Sequence, residues 1–383
     1  MSIKVAMFSY YFPPQYSGAA KQAISLAKQL RYRGHHIEFV TVRWPGLDEQ
    51  DWYEGFPVYR LEAGKGAKHR ELKLWWNLLK FVYYRRKNFD ILHSHGAYYA
   101  NSIVGPLSKL AGWKSIVKAS LSENDIHGLK SSVSGWLHYG FLRMVDAYIA
   151  VSRDMEREFI QSKLALNKVY YMPNAVDTER FYPVSQEEKK RLRRHLGLPE
   201  NKVVSLTVGV FDSRKNIGWL MQEWVRNKAF ETGSVLLAIG PQSREDEGGT
   251  FLNSLKQLAG DNPEILYLKE HADDIELYFR AADFFILPSH SEGMPNVVLE
   301  AMASGIPCIA TKVSGIQELI QDGKNGYTFS PGDSKTLGDA VQNTLNDKEG
   351  SMGYYARKTI EESFSISALA KQYEELYQRL TNI

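Results

Sequence analysis

Short β-rich runs alternate with helical stretches along this chain twice over, and that alternation restricts its fold more than any other feature. In the first half the β-rich runs are Ile3–Ser9, His36–Val42, Val58–Leu61, Ile91–His93, Ser115–Lys118, Ala147–Val151 and Lys168–Met172. Helical patterns separate many of them, most clearly Gly18–Arg33, Arg70–Arg86 and Ser131–Val145. Val203–Val208, Val235–Ile239, Ile265–Leu268, Phe284–Leu287 and Cys308–Thr311 continue the rhythm in the second half. Strands alternating with helices imply a parallel sheet covered on both faces, hence an α/β fold. At 383 residues the chain is too long for one comfortable core. A polar stretch, Pro183–Leu198, marks the expected boundary, and its charge run Ser185–Arg194 suits a solvated helix face. The expected organisation is two doubly wound, Rossmann-like domains, 1–183 and 184–364, followed by an amphipathic helix within 365–383.

Composition narrows the functions available. A hydrophobic content of 44% with 24% charged residues is that of a globular protein. The net charge of +3 is too small to make nucleic acid the main partner, and no zinc spacing or arginine-rich run appears. The single cysteine, Cys308, excludes an internal disulfide and fits a reducing, cytoplasmic setting. The N-terminal run lacks the features of a signal peptide. No segment approaches the roughly 20 apolar residues of a membrane span, so membrane contact is expected to be peripheral.

In doubly wound sheets, ligands bind beyond the C-terminal ends of the strands. The richest segment there is Asp283–Pro307, an apolar run followed by a loop and a helical pattern. Pro295 suits the first helical position and Gly305 the helix end. A strand, a loop and a helix N-terminus bring backbone N–H groups and the helix dipole together, which makes an anion site. Glu292 lies on the loop and Glu300 on the helix, with seven residues between them. A carboxylate beside an anion site suits a sugar attached to a phosphate, and a deeper one suits ribose hydroxyls. A nucleotide sugar carries both groups. A second segment, Thr207–Ile217, places Arg214 and Lys215 between a strand end at Gly209 and a helix. Fixed cations there stabilise a departing diphosphate without reorganisation.

Glu292, Glu300, Ala301-Met302-Ala303 and Gly305-Ile306-Pro307 together resemble the donor motif of glycosyltransferase family 4, the retaining GT-B enzymes. The likeness extends over nearly the whole chain, through Asp90–Gly96, Ala147–Ser152, Met172–Asp177 and Ser314–Gly326. It implies two Rossmann-like domains facing an interdomain cleft, with the C-terminal helix returning to the N-terminal domain. It further implies acceptor binding by the first domain, donor binding by the second, and retention at the anomeric carbon. Neither a metal nor another cofactor is implied. Glu292 and Lys215 become the catalytic candidates. The donor site becomes Gly18, Arg214, Lys215, Glu292, Gly293, Met294, Pro295, Asn296, Val297 and Glu300.

Four positions depart from the family pattern, one of them Ala175 where a glycine is usual. Val210 stands where an Arg usually follows the glycine, and Arg214 is the candidate replacement for its charge. Ser17-Gly18 replaces a pair of glycines. No histidine directly follows the strand ending near Lys118, which leaves Ser120, Glu123, Asp125 and His127 as acceptor-side candidates with Ser17 and His95. His93 and His95 are too few for a metal site and suit packing or an acceptor role.

The basic, aromatic stretch 68–87 carries Leu72, Trp75, Trp76, Leu79 and Tyr83 on one helical face, and Lys73, Lys80 and Lys87 on another. It suits either packing on the first sheet or contact with an anionic membrane surface. The expected function is a retaining glycosyltransferase using a nucleotide-diphosphate sugar such as a UDP- or GDP-sugar. The expected acceptor is a glycan or lipid-linked molecule in cell-envelope polysaccharide or glycolipid synthesis. Three other readings remain open: hydrolysis by two carboxylates, a catalytically impaired nucleotide-sugar-binding partner subunit, and a nucleotide-sugar epimerase of similar fold.

Overall fold

The computed structural model describes residues 2–15, 17–64, 67–96, 101–119, 135–162, 164, 166–226, 233–347 and 349–382. Its contacts divide the chain into two compact units, Met1–Asn174 with Ile366–Ile383, and Ala175–Ser365. The first division falls at 174/175, ahead of the expected 183. Residues 175–183 pack within the second unit: Arg357 donates to the carbonyls of Thr178 and Phe181, and Phe181 meets the Phe279 ring.

The first unit holds an eight-stranded sheet. Its strands are β1 (Lys4–Ser9), β2 (His36–Arg43), β3 (Gln50–Tyr53), β4 (Phe56–Glu62), β5 (Ile91–His95), β6 (Lys114–Lys118), β7 (Ala147–Ala150) and β8 (Val169–Tyr171). They lie in the order β3-β4-β2-β1-β5-β6-β7-β8. All neighbours are parallel except β3 with β4. β1 pairs with β2 on one side and β5 on the other, so Val5 lies opposite both Ile37 and Ile91. Helices pack on the sheet, and the central strands are buried along nearly their whole length.

β3 escapes sequence patterning because it is a polar edge strand, Gln-Asp-Trp-Tyr, with mostly exposed residues. The helix Gly18–Tyr32 starts at Ser17, whose side chain accepts from the Ala20 amide. The helix Ile366–Thr381 belongs to the first unit, where Glu374 pairs with Arg33 and His35.

Of the two readings open for the aromatic helix Ala67–Arg85, its Leu72–Tyr83 stripe does not take the core-packing one. Leu74, Leu78, Phe81 and Val82 form its buried face. From the expected packing stripe, Leu72, Trp76 and Tyr83 are instead 64%, 58% and 61% exposed. The stretch has two apolar faces, and the one spaced 74, 78, 81, 82 wins the core. Trp75 turns sideways onto the neighbouring helix Gly135–Leu142, its ring 5.3 Å from His138 and 5.8 Å from Phe141. That second helix leaves Trp136 76% exposed.

The second unit holds a six-stranded, wholly parallel sheet in the order β11-β10-β9-β12-β13-β14. These strands are β9 (Val203–Val208), β10 (Ser234–Ile239), β11 (Leu266–Lys269), β12 (Phe284–Leu287), β13 (Cys308–Thr311) and β14 (Gly326–Phe329). From β9 the chain steps outward to β10 and β11, then returns to the other side of β9 with β12. The topological switch therefore lies between β9 and β12. Its core includes Leu206, Leu236, Phe284, Ile286 and Trp224. The charged helix Gln186–Leu196 is largely solvated, as expected, except for Arg193. Arg193 is buried and ties the helix to Asp283, Ala281 and Lys202.

Candidate active site

The loops after β9 and β12 emerge side by side at the switch point of the second sheet. In a parallel sheet of this winding, helices turn to opposite faces there and open a crevice. The loop after β9 is shaped by Asp212, whose carboxylate accepts from the Lys215 amide at 2.6 Å. Asn216 completes the turn with φ of 56°, a conformation that asparagine tolerates better than most residues. Gly209 has a separate duty, because the Lys215 stem runs across it. A Cβ at Gly209 would sit 3.4 Å from Lys215 Cγ and Cδ.

Lys215 therefore points toward the β12 loop, where its Nζ donates to Glu292 Oε1 at 2.6 Å. Both side chains are largely buried, at 13% and 6% exposure. Arg214 joins them: its Nη1 lies 3.5 Å from Glu292 Oε1 and donates to the Ser291 carbonyl at 3.1 Å. The backbones are tied as well, by the His290 amide donating to the Arg214 carbonyl at 2.8 Å. Arg214 and Lys215 thus hold two cationic heads beside Glu292, a setting in which an anionic ligand can be bound.

Gly293, Met294 and Pro295 are buried, and Asn296 opens the helix Asn296–Ala303. Pro295 is the N-cap rather than the first helical residue, with φ −75° and ψ 118°. Its carbonyl accepts from the Val298 and Leu299 amides, so the first turn closes on Pro295. Val297 is buried and Glu300 half-buried one turn further along. Gly305 ends the segment in the left-handed region at φ 72°, as its sequence position suggests. Gly315, at φ 74°, lets the loop after β13 lie against this one: a Cβ there would stand 1.9 Å from the Gly293 carbonyl oxygen.

The structure thus brings Arg214, Lys215, Glu292, Gly293, Met294, Pro295, Asn296 and Val297 into one unit, with Glu300 on the same helix. Gly18 and Ser17 belong to the first unit, at the start of the helix after β1. There the Ser17 oxygen is engaged as the helix cap. His95 ends β5 and is buried. Ser120, Glu123, Asp125 and His127 lie outside the described residues. The sequence reading overlooked Asp212 and Gly315, both of which shape the loops rather than present a charge. Asp212, with Asn216 four residues on, is a turn signal that could have been recognised. Among the described residues no group of three or more metal-ligating side chains occurs.

Two doubly wound units built on mainly parallel sheets, the second with cations facing a carboxylate at its switch point, have the architecture of the GT-B type. Residues 16–180 match the family profile Glycosyltransferase Family 4, and residues 202–347 match that of Glycosyl transferases group 1. The chain belongs to glycosyltransferase family 4. It is 28% identical to N-acetyl-alpha-D-glucosaminyl L-malate synthase of Bacillus anthracis, over 98% of this chain and 97% of that protein. It is 25% identical to the Escherichia coli UDP-Gal:alpha-D-GlcNAc-diphosphoundecaprenol alpha-1,3-galactosyltransferase, over 80% of this chain and 79% of the relative. Among solved structures, Anabaena Alr3699/HepE in complex with UDP-glucose superposes with a TM-score of 0.79 at 19% identity, covering 98% and 100% of the two chains.

Proposed function

We propose that this glycosyltransferase moves a sugar from a nucleotide-diphosphate donor to a glycan or lipid-linked acceptor, with retention at the anomeric carbon and without a metal. The observation that carries this reading is the Lys215–Glu292 pair with Arg214 beside it. In the proposed reaction the diphosphate lies against Lys215 and Arg214, which neutralise the charge it gains on leaving. Their placement needs no rearrangement, because Asp212 and the Ser291 carbonyl already hold them. Glu292 accepts from sugar hydroxyls with its second oxygen while its first fixes Lys215. Glu300 accepts from the ribose hydroxyls. The acceptor hydroxyl forms its bond to the anomeric carbon on the face from which the diphosphate departs. Its proton passes to the leaving phosphate oxygen, and the nucleoside diphosphate is released.

The UDP-glucose held by the Anabaena protein and the UDP-galactose named for the Escherichia coli relative support a nucleotide-sugar donor. The latter relative also supports a role in envelope polysaccharide or glycolipid synthesis. No described helix is long and apolar enough to cross a membrane. The exposed Leu72, Trp76 and Tyr83, with Lys80 and Arg86 over two of their rings, support peripheral contact with the anionic cytoplasmic leaflet. Trp136 on the adjoining helix is a further exposed aromatic.

The test is nucleoside-diphosphate release from UDP- and GDP-sugars with and without acceptor extracts, followed by NMR of the product's anomeric proton. Acceptor-dependent release with retained configuration supports the proposal. Release of free sugar alone, or conversion of the donor without acceptor, replaces it with hydrolysis or epimerisation.

A further inference from the structure

The first unit contains a buried polar group that the donor site does not use. His93 and His95 alternate along β5 and so share one face of the sheet. Lys118 is the register partner of His95 on β6 and lies on that face too. The helix Ile366–Thr381 lays Tyr373 and Tyr377 over them: the His93 ring is 5.4 Å from Tyr373, and its Nδ1 is 2.7 Å from Tyr377 Oη. The two imidazoles are 4.2 Å apart, and Lys118 Nζ is 5.9 Å from the Tyr373 ring centre. His95 is 2% exposed and Lys118 5%.

This cluster is under-satisfied. Among the described residues, His93 Nε2, both ring nitrogens of His95 and Tyr373 Oη have no hydrogen-bond partner. Such atoms are costly when buried alone, and folded proteins satisfy nearly all of them with protein, water or ligand. Among the described residues no carboxylate forms an ion pair with Lys118, and burial lowers its ammonium to about 7. An entering anion would offset that desolvation.

We propose that Lys118, His95 and Tyr373 bind a carboxylate or phosphate group of the acceptor substrate. The word acceptor rests on the transferase reading; the anion site does not. Lys118 and the Tyr373 hydroxyl supply donors, which a cation would not accept and an uncharged hydroxyl would not compensate. The site stands at the C-terminal ends of β5 and β6, the end at which doubly wound sheets bind ligands. Both anion classes are found in family relatives' acceptors, the malate and diphosphoundecaprenol of the two named above.

The test is thermal stabilisation of the full chain by inorganic phosphate and, separately, by succinate. A background carrying both Arg214→Ala and Lys215→Ala removes the two cations of the donor site in the second unit. Saturable stabilisation by one anion is expected, weakened by about tenfold or more by Lys118→Met and largely retained by Lys118→Arg. A phosphate preference assigns a phosphorylated acceptor and a succinate preference a carboxylated one. Should Lys118→Met fail to fold, Tyr373→Phe keeps the ring and removes the unpaired hydroxyl, and is expected to weaken the same binding. No saturable effect of either anion, or equal effects in all variants, overturns the site. Anion binding in a protein that transfers no sugar leaves this site standing while the transferase reading fails; turnover without anion binding does the reverse.

Discussion

Lys215 Nζ meets Glu292 Oε1 at 2.6 Å across 77 residues of sequence, joining the loops that leave β9 and β12. The two residues therefore stand or fall together. Removing one partner of a largely buried pair typically costs about 3–5 kcal/mol when the other charge is stranded, as Lys215 is without Glu292. It costs less when Lys215 is removed, because Arg214 still faces Glu292. The 13% exposure of Lys215 lowers that expectation toward about 2 kcal/mol. Lys215→Met and Glu292→Gln should each destabilise the protein in urea, and the double variant should lose less than the sum. Strict additivity would show that the contact carries no coupling.

Glu300→Gln separates ribose binding from chemistry. The substitution keeps the side-chain volume and a hydrogen-bonding oxygen, but weakens charge-assisted bonds from the ribose hydroxyls. Nucleoside-diphosphate affinity is expected to fall by about tenfold, near 1.4 kcal/mol, in calorimetric titration. Equal affinity in wild type and variant would remove the ribose assignment.

Gly315→Ala tests the wall behind the donor loop. The residue has φ of 74°, and its Cβ would lie 1.9 Å from the Gly293 carbonyl oxygen. The loop carrying Glu292 must shift to admit it, and small misplacements near a reacting centre cost about 100-fold in rate. We expect a folded protein with strongly reduced turnover. Wild-type turnover would show that the β13 loop does not hold the Glu292 loop in place.

Much of this site was legible because its chemistry is local in sequence. Glu292, the Pro295 turn, Glu300 and Gly305 lie within one strand–loop–helix, and each residue type states its own requirement. The long apolar runs of β1, β9 and β12 were equally plain. The polar edge strand β3 and the short β14, opening with Gly326, had no apolar pattern to announce them. The helix Ala67–Arg85 left packing and surface contact open because two apolar stripes compete, and only packing decides between them. The pairing of Lys215 with Glu292 and the gathering of Lys118 with His95 are products of strand order. No local pattern contains them.

The two histidines of β5 predict how stability responds to acid. Burial, aided by the Lys118 charge, lowers His93 to about 3, and His95 also lies well below its ordinary value. Lys118, Tyr373 and Tyr377 face them. The folded state keeps both imidazoles neutral, whereas the unfolded chain takes up protons below 6.5. The His93 contribution is complete above that pH and is lost as the pH falls toward 3, and the His95 contribution is lost in the same direction. His93 contributes up to about 1.4 kcal/mol per pH unit across its window. Urea midpoints from pH 7.5 down to about pH 5 should fall, with a shallower slope in His93→Gln. An unchanged slope would show that His93 is not held neutral.

The exposed stripe of Leu72, Trp76 and Tyr83 predicts membrane contact. Co-sedimentation with vesicles containing phosphatidylglycerol should exceed that with neutral vesicles and should fall with added salt. Trp76→Ala with Trp136→Ala should reduce it by about fivefold or more. Binding that ignores lipid charge and both tryptophans would remove the peripheral assignment.

The most direct measurement of the central claim is calorimetric titration of UDP- and GDP-sugars into wild type, Lys215→Ala and Glu292→Gln. The account predicts that one nucleotide class binds wild type saturably and binds Lys215→Ala at least about tenfold more weakly. Glu292→Gln should retain the nucleoside diphosphate while losing affinity for the intact sugar nucleotide. No binding by wild type to any donor, or equal binding by all three proteins, would contradict it.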